Sequence, residues 1–166
     1  MKHIISALVE NKPGVLAHVA GMFAARAFNI DSLVVGRTED PSLSRMTIVV
    51  VGDDKVVEQV RKQLAKIVSV VKVQDFVGQL VVARDLMLIG ISALPENRAE
   101  ILSLIEMFKG NVVDIGPKFV MVEISGPEAK IEAFIEVCKP YGIKSLARTG
   151  TIAMPRHSKV TEDNSV

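Results

Sequence analysis

The sequence is poor in aromatic residues and in excess charge. Aromatic residues make up 4% of the 166 residues, with no tryptophan and one tyrosine. Proteins that bind single-stranded nucleic acid stack bases on aromatic side chains, so this composition argues against such a function. Lysine and arginine number 20 against 19 acidic residues. No charge imbalance therefore points to nucleic acid or to anionic lipid.

Cysteine and long apolar runs are also scarce. Cys138 is the only cysteine, which excludes an intrachain disulfide framework. No run of 18 apolar residues occurs, so we expect no membrane span. The sequence opens on strand-like residues rather than on a charged and apolar leader, which predicts a cytoplasmic protein.

Apolar residues are abundant. The hydrophobic fraction is 49% and the mean hydropathy is +0.34. Two small domains have little interior for so much apolar surface, so we expect part of it at contacts between subunits.

Hydrophobic periodicity predicts the same order of elements twice, strand, helix, strand, strand, helix, strand. This is the ferredoxin-like βαββαβ unit, so we expect an α+β protein with residues 1–77 and 78–154 as two domains. The polar residues 155–166 are expected to be disordered. Finer predictions are a single last strand over 143–152, Gly110 as the residue that ends the third helix, and one apolar face on the first helix formed by Leu16, Val19, Ala20, Phe23 and Ala27.

The most informative segment is the turn after the first strand, Asn11-Lys12-Pro13-Gly14-Val15-Leu16. Gly14 stands at a predicted helix start, where unpaired N–H groups and the positive end of the helix dipole favour a carboxylate. Asn11 can offer its carbonyl oxygen to an ammonium group. Asn29 and Ile30, after the first helix, could add a polar contact and an apolar wall. Together these groups suit an amino acid with a small apolar side chain. The alternative is that Pro13-Gly14 is an ordinary turn.

Longer stretches of the sequence resemble the small subunit of acetohydroxyacid synthase (acetolactate synthase), whose N-terminal half is an ACT domain. The resemblance covers nearly the whole chain except the tail. It is carried by Asn11-Lys12-Pro13-Gly14-Val15-Leu16, Phe28-Asn29-Ile30-Asp31-Ser32-Leu33, Ser44-Arg45-Met46-Thr47-Ile48-Val49, Arg84-Asp85-Leu86-Met87-Leu88-Ile89 and Ala147-Arg148-Thr149-Gly150.

The resemblance implies a non-catalytic regulatory subunit. ACT domains of two chains would pair side by side as a homodimer, with a branched-chain amino acid (valine favoured) held at the seam. Asn11, Gly14, Val15 and Leu16 of one chain and Asn29 and Ile30 of the other would form the site. The chain itself would carry no cofactor and no metal. It would activate a large catalytic subunit that uses thiamine diphosphate, a divalent metal and FAD, and would confer feedback inhibition on it.

Two positions depart from the family. Position 18 is His where the family often has Arg, and position 27 is Ala where it usually has Gly. Because a glycine ends a helix in the left-handed region at little cost, Ala27 brings that geometry into question, and Asn29 could take up the turn instead.

Other functions remain as alternatives. A stand-alone amino-acid sensor acting on a different enzyme would carry the same ACT domain. A small enzyme on this fold would need a convergent catalytic group, and the sequence offers none. An RNA-binding module would need aromatic residues on central strands. His3, His18 and His157 lack the spacing of metal ligands. Cys138 completes an apolar helix face, and either Asp53 or Asp54 can cap a helix.

Overall fold

A computed structural model describes residues 1–156 and divides the chain into two compact units. Met1–Val82 and residues 151–156 form the first unit, and Ala83–Gly150 form the second. The boundary predicted from the sequence lies after residue 77. Pro155, predicted to open a disordered tail, ends a short strand instead. Residues 157–166 of that tail lie outside the described part of the chain.

The first unit has a four-stranded antiparallel sheet in the order β2-β3-β1-β4. Every second residue of the central strands, such as Ile5, Ala7 and Val9 on β1, packs with both helices into a single core. Its elements are β1 Lys2–Glu10, α1 Val15–Ala25, β2 Ile30–Arg37, β3 Leu43–Val51, α2 Asp54–Leu64 and β4 Val70–Asp75.

The second unit repeats this arrangement with the strand order β6-β7-β5-β8 around its own buried core. Its elements are β5 Val81–Ser92, whose first two residues belong to the first unit, α3 Arg98–Met107, β6 Asn111–Gly116, β7 Phe119–Gly126, α4 Glu128–Cys138, a 3-10 turn Lys139–Tyr141, and β8 Ile143–Arg148. The two units confirm the predicted α+β class and its two ferredoxin-like βαββαβ repeats.

The prediction of one last strand over 143–152 is wrong. The structure has two strands there, β8 and then β9 Ile152–Pro155. Gly150 separates them with a φ of +88°, a left-handed conformation that a continuous strand cannot contain. β9 pairs with β5, whose first residues, Val81 and Val82, belong to the first unit as β9 does.

The predicted apolar face of the first helix is also wrong in part. Val15, Val19, Met22 and Phe23 are the buried residues of α1, whereas Leu16 is 45% exposed. The helix is apolar on almost every side, with alanines at positions 17, 20, 24 and 25. Hydrophobic periodicity therefore does not show which side of this helix faces the core, because no polar face marks the solvent side.

Ala27 adopts the left-handed conformation that a glycine would adopt more easily, with a φ of +54°. The Ala27 N–H donates to the Ala24 carbonyl and the Phe28 N–H to the Phe23 carbonyl. This is the Schellman pattern, and the edge-to-face contact of Phe28 with Phe23 at 6.2 Å is the hydrophobic contact that accompanies it. The expectation that Asn29 takes up this turn is therefore wrong.

The prediction that Gly110 is the residue that ends the third helix, α3, is wrong as well. The left-handed residue there is Lys109, with a φ of +53°, and Gly110 follows it. A side chain at Gly110 would lie 3.0 Å from Val122 and 3.2 Å from Ile105. Gly110 is therefore explained by close packing rather than by backbone conformation.

Candidate functional site

Asn11 joins the end of β1 to the loop between β2 and β3. Its backbone N–H donates to the Ser42 carbonyl at 2.7 Å, and its Nδ2 donates to the Pro41 carbonyl at 2.9 Å. This bond fixes the orientation of the side-chain amide, and Oδ1, its acceptor atom, can accept a hydrogen bond from a ligand. The residue is exposed, so a ligand can reach it.

Gly14 is the N-cap residue of α1 and has a φ of +86°. A Cβ built on Gly14 would meet no atom within 4 Å, so the space beside its backbone is open. The first turn of α1, residues 15–18, carries no acidic residue. The positive end of this helix is therefore available to an anion from outside. The start of α2 differs, because the Asp53 carboxylate accepts a hydrogen bond from the Val56 N–H at 3.0 Å.

Val15 and Leu16 have different surroundings although they are neighbours in the chain. The Val15 side chain is buried in the core of the first unit, so only its backbone can face a ligand. The Leu16 side chain is 45% exposed and offers an apolar surface beside the helix start.

Asn29 and Ile30 follow the Schellman turn and lead into β2. Asn29 is exposed, whereas Ile30 is partly buried and packs against the core. Ile30 lies opposite Val50 on β3.

One chain does not bring these six residues together. Asn11 is bonded to Ser42, just before β3, and Ile30 lies opposite Val50 near the end of β3. Ser42 and Val50 are eight positions apart, which is about 26 Å at the rise of a β-strand. The six predicted effector residues therefore fall into two groups at opposite ends of the sheet. We call Asn11 to Leu16 the turn half-site, and Asn29 with Ile30 the strand half-site.

The strand half-site lies on an edge of the sheet. Within the described residues β2 pairs with β3 alone, so the backbone groups on its other side face outward. Such an edge is a template for pairing with another strand.

Sequence reasoning missed two polar residues that the structure makes prominent. The Ser32 hydroxyl, on β2, accepts a hydrogen bond from the Thr151 N–H at 3.1 Å. Asp85 is buried and paired with Arg148, whereas the sequence offers only its neighbour Arg84 as a partner, and adjacent strand residues point to opposite faces. The family segments contain all three of Ser32, Asp85 and Arg148, but nothing in their local spacing indicates which residues meet in space.

The structure also shows the surroundings of two of the histidines, of Cys138 and of Arg45. His3 is buried with Nε2 at 3.1 Å from the Gly52 carbonyl, and His18 is exposed on α1; His157 lies outside the described residues. Burial raises the pKa of the Cys138 thiol to about 11, which keeps it protonated and unreactive near neutral pH. Arg45, on β3 in one of the family segments, donates from its guanidinium to the Ser6 hydroxyl at 3.0 Å.

Among residues 1–156, no group of three or more His, Cys, Asp or Glu side chains could hold a metal ion. No helix in this part of the chain is long and apolar enough to cross a membrane. A cleft of about 330 Å³ lies beside His3, Asp54 and Phe76, and none of the six predicted effector residues lines it.

Protein-family models match residues in both units. A family model described as the AHAS small subunit-like ACT domain matches residues 5–72. A second, described as the small subunit of acetolactate synthase, matches residues 84–157.

Whole-chain relatives agree with these matches. A probable acetolactate synthase small subunit from Archaeoglobus fulgidus is 54% identical, over 96% of this chain and 99% of its own. The acetolactate synthase small subunit of Aquifex aeolicus is 45% identical, over 99% of this chain and 86% of its own. A crystal structure of the acetolactate synthase small subunit from Thermotoga maritima superposes with a TM-score of 0.88 at 43% identity, covering 94% of this chain and 98% of that one.

Proposed function

The chain belongs to the acetolactate synthase small-subunit family, and from this premise we propose that it is a non-catalytic regulatory subunit. It binds a large catalytic subunit, raises the activity of that subunit, and makes it sensitive to a branched-chain amino acid. We propose valine as the first effector to test. The thiamine diphosphate, divalent metal and FAD of the reaction are assigned to the catalytic partner.

The observation that carries this proposal is the placement of the two half-sites about the unpaired edge of the sheet. Arg37, the last residue of β2, lies opposite Ser44, and the turn half-site is bonded to Ser42. The end of β2 and the turn half-site therefore share one end of the sheet. Ile30, at the start of β2, lies at the other end.

Two-fold pairing of β2 with the same strand of a second copy would bring unlike half-sites together. In an antiparallel pair, the start of one strand lies beside the end of the other. The partner's strand half-site would then stand at the end of the sheet where this chain has its turn half-site. A two-fold axis makes the contact reciprocal, so one dimer would contain two equivalent sites.

The chemistry of the half-sites fits a zwitterion. The open N-terminus of α1 favours the carboxylate of the ligand, and Gly14 lets that carboxylate approach the backbone. The Asn11 Oδ1 can accept from the ammonium group. Exposed Leu16 and partly buried Ile30 supply apolar surface for a branched side chain. One methyl group more or less in such a pocket changes affinity by about 10–200-fold, which is enough to rank valine, leucine and isoleucine.

Regulation then follows from linkage. If valine binds one arrangement of the paired chains more tightly, and the catalytic subunit prefers another, valine shifts the population of the complex. Couplings of this kind are typically about 1–3 kcal/mol, or about 5–150-fold in affinity.

Reconstitution tests the proposal. The purified chain is titrated with valine, leucine, isoleucine and alanine by calorimetry, and is then added to the large subunit while acetolactate formation is measured. We expect saturable binding of a branched-chain amino acid, a higher rate on addition of the chain, and inhibition of that rate by the same amino acid. An unchanged rate and no effector response would refute the proposal. Binding without any effect on the large subunit would indicate a sensor for a different enzyme.

A further inference from the structure

The turn between α2 and β4 holds an apolar side chain almost entirely in solvent. Val68 is 98% exposed, although hydrogen bonds fix its turn on both sides. The Val70 N–H donates to the Ile67 carbonyl at 2.9 Å, and the Ser69 carbonyl accepts from the Glu10 N–H at 2.8 Å. The Ile67 side chain packs against the core of the first unit. An ordered turn therefore presents Val68 to solvent.

Val71, on the edge strand β4, extends this exposed apolar surface. Leu8 of β1 lies opposite Lys72, and Val9 lies opposite Val70. Val71 is therefore an extra residue in β4, a β-bulge, and it is 59% exposed. A bulge interrupts the ladder of backbone groups, and a lysine on an edge strand also opposes pairing with another strand. This edge thus offers side chains, rather than a strand template, to a partner.

Two exposed lysines flank the two valines. Lys66 precedes Val68 in the turn, and Lys72 follows Val71 in the strand. We call Val68, Val71, Lys66 and Lys72 the valine patch. An apolar centre with a charged rim is a common composition of protein interfaces that form between separately folded partners. The two cations favour a partner surface on which acidic groups surround an apolar recess.

A second copy of the chain does not match the valine patch in charge. A two-fold contact places the same patch on both sides, so the lysines of both copies would meet, and like charges across an interface are unfavourable. The proposed dimer uses the β2 edge instead. The proposed function requires one further macromolecule, the large catalytic subunit.

We propose that the valine patch docks on the large catalytic subunit, where an apolar recess with an acidic rim receives Val68 and Val71. The inference rests on the proposed function, since it requires that subunit. The valine patch adjoins the turn half-site, because Ser69 is bonded to Glu10 and Glu10 directly precedes Asn11. A docked large subunit would therefore lie beside the bound effector, where the ligand can favour one docked arrangement over another.

The test measures how much of the chain is needed to activate the large subunit. Acetolactate formation is followed while each variant of the whole chain is titrated into the large subunit, which gives a half-maximal concentration. Val68→Asp and Val71→Asp each place a carboxylate against the acidic rim and should raise that concentration at least about tenfold. Lys66→Glu together with Lys72→Glu should do the same, and this loss should shrink at high salt because salt screens exposed charges. Dimerisation and valine binding by the free variants should stay at the wild-type level.

Val113→Asp is the matched control. Val113 is the bulge residue of the edge strand β6, between Val112 and Asp114, and it is 49% exposed. It therefore resembles Val71 in strand position and exposure, and Val113→Asp should activate as the wild type does.

Three results would overturn the proposal. The first is wild-type activation by both Val68→Asp and Val71→Asp, and the second is an equal loss of activation in Val113→Asp. The third is separation of the dimer by Val68→Asp in sedimentation equilibrium, which would assign the valine patch to a second copy. If the wild-type chain does not activate the large subunit, the proposed function fails and the docking proposal fails with it.

Discussion

Gly14 has two properties that a residue with a side chain cannot combine. Its φ of +86° lies in the left-handed region, and the space beside its α-carbon is empty. The first property costs other residues about 1–2 kcal/mol, and asparagine and aspartate tolerate it better than most. The second property matters only if something enters that space, and the proposed ligand carboxylate would there face the start of α1, whose first turn has no acidic residue.

Two substitutions at Gly14 separate charge from backbone strain. Gly14→Asp and Gly14→Asn should each lower the free energy of unfolding by about 1 kcal/mol. The aspartate should weaken valine binding at least about 30-fold more than the asparagine, because two carboxylates in a partly enclosed site repel each other by a few kcal/mol. Calorimetry on both variants gives the comparison. Equal affinities would place the ligand carboxylate elsewhere.

Ala27 is the residue at which a glycine is expected to stabilise the protein. At a φ of +54°, Ala27→Gly removes steric strain and keeps both Schellman hydrogen bonds. After the entropy cost of the glycine, we expect a gain of about 0.5–1 kcal/mol in the free energy of unfolding. Urea denaturation with an unchanged m-value measures the gain. Ala20→Gly, inside α1, is the control and should lose about 1 kcal/mol. A loss at position 27 would mean that the strain is compensated by its neighbours.

The two edges of the first sheet offer a direct comparison at the scale of the elements. Val35 on the edge strand β2 is 41% exposed, and Val71 on the other edge strand, β4, is 59% exposed. The proposed dimer uses only the β2 edge, so a charge on β2 should act differently from a charge on β4.

We therefore predict opposite results for two lysine substitutions. Val35→Lys places a hydrated charge at the proposed seam and should weaken dimerisation at least about tenfold, together with valine binding, because each site needs both chains. Val71→Lys should leave both unchanged. Sedimentation equilibrium and calorimetry provide the two readouts. If Val71→Lys separates the chains and Val35→Lys does not, the pairing edge is β4.

The elements differ in how far sequence predicts them. The order and type of the helices and strands follow from periodicity, as in α2, where Val57, Val60 and Leu64 form the buried face. The face of α1 that packs against the core does not follow from periodicity, because alanines lie on most sides of that helix. The bulge at Asp31, an extra residue of β2, is also absent from the pattern, since apolar residues on both sides of it read as an ordinary strand. The break at Gly150 was missed because a single glycine within a strand pattern has several explanations.

At the scale of the whole molecule, the candidate site could be predicted only in halves. The turn half-site can be recognised from neighbouring residues alone, because the sequence shows a glycine at a predicted helix start. The strand half-site is about 26 Å away in the same chain, and no spacing rule connects the two. The family resemblance supplied the expectation that they belong to different chains, and the sheet topology supplies the physical argument for it.

The proposed dimer would also explain part of the abundance of apolar residues in the sequence. The described chain exposes Leu16 and Val35 near the turn half-site and on the β2 edge, where a second copy would cover them. A dimer would therefore bury surface that two small cores cannot.

The most direct test is a mixing experiment with two variants that each fail alone. Gly14→Asp disables the turn half-site of its own chain, and Asn29→Ala with Ile30→Ala disables the strand half-site. Neither homodimer should bind valine. After the two chains are mixed and allowed to exchange, half of the dimers are mixed, and each of these has one intact site and one doubly altered site. Calorimetry should then recover about one quarter of the wild-type binding capacity, at wild-type affinity. No recovery, with exchange of chains verified by native mass spectrometry, would contradict a site shared between two chains.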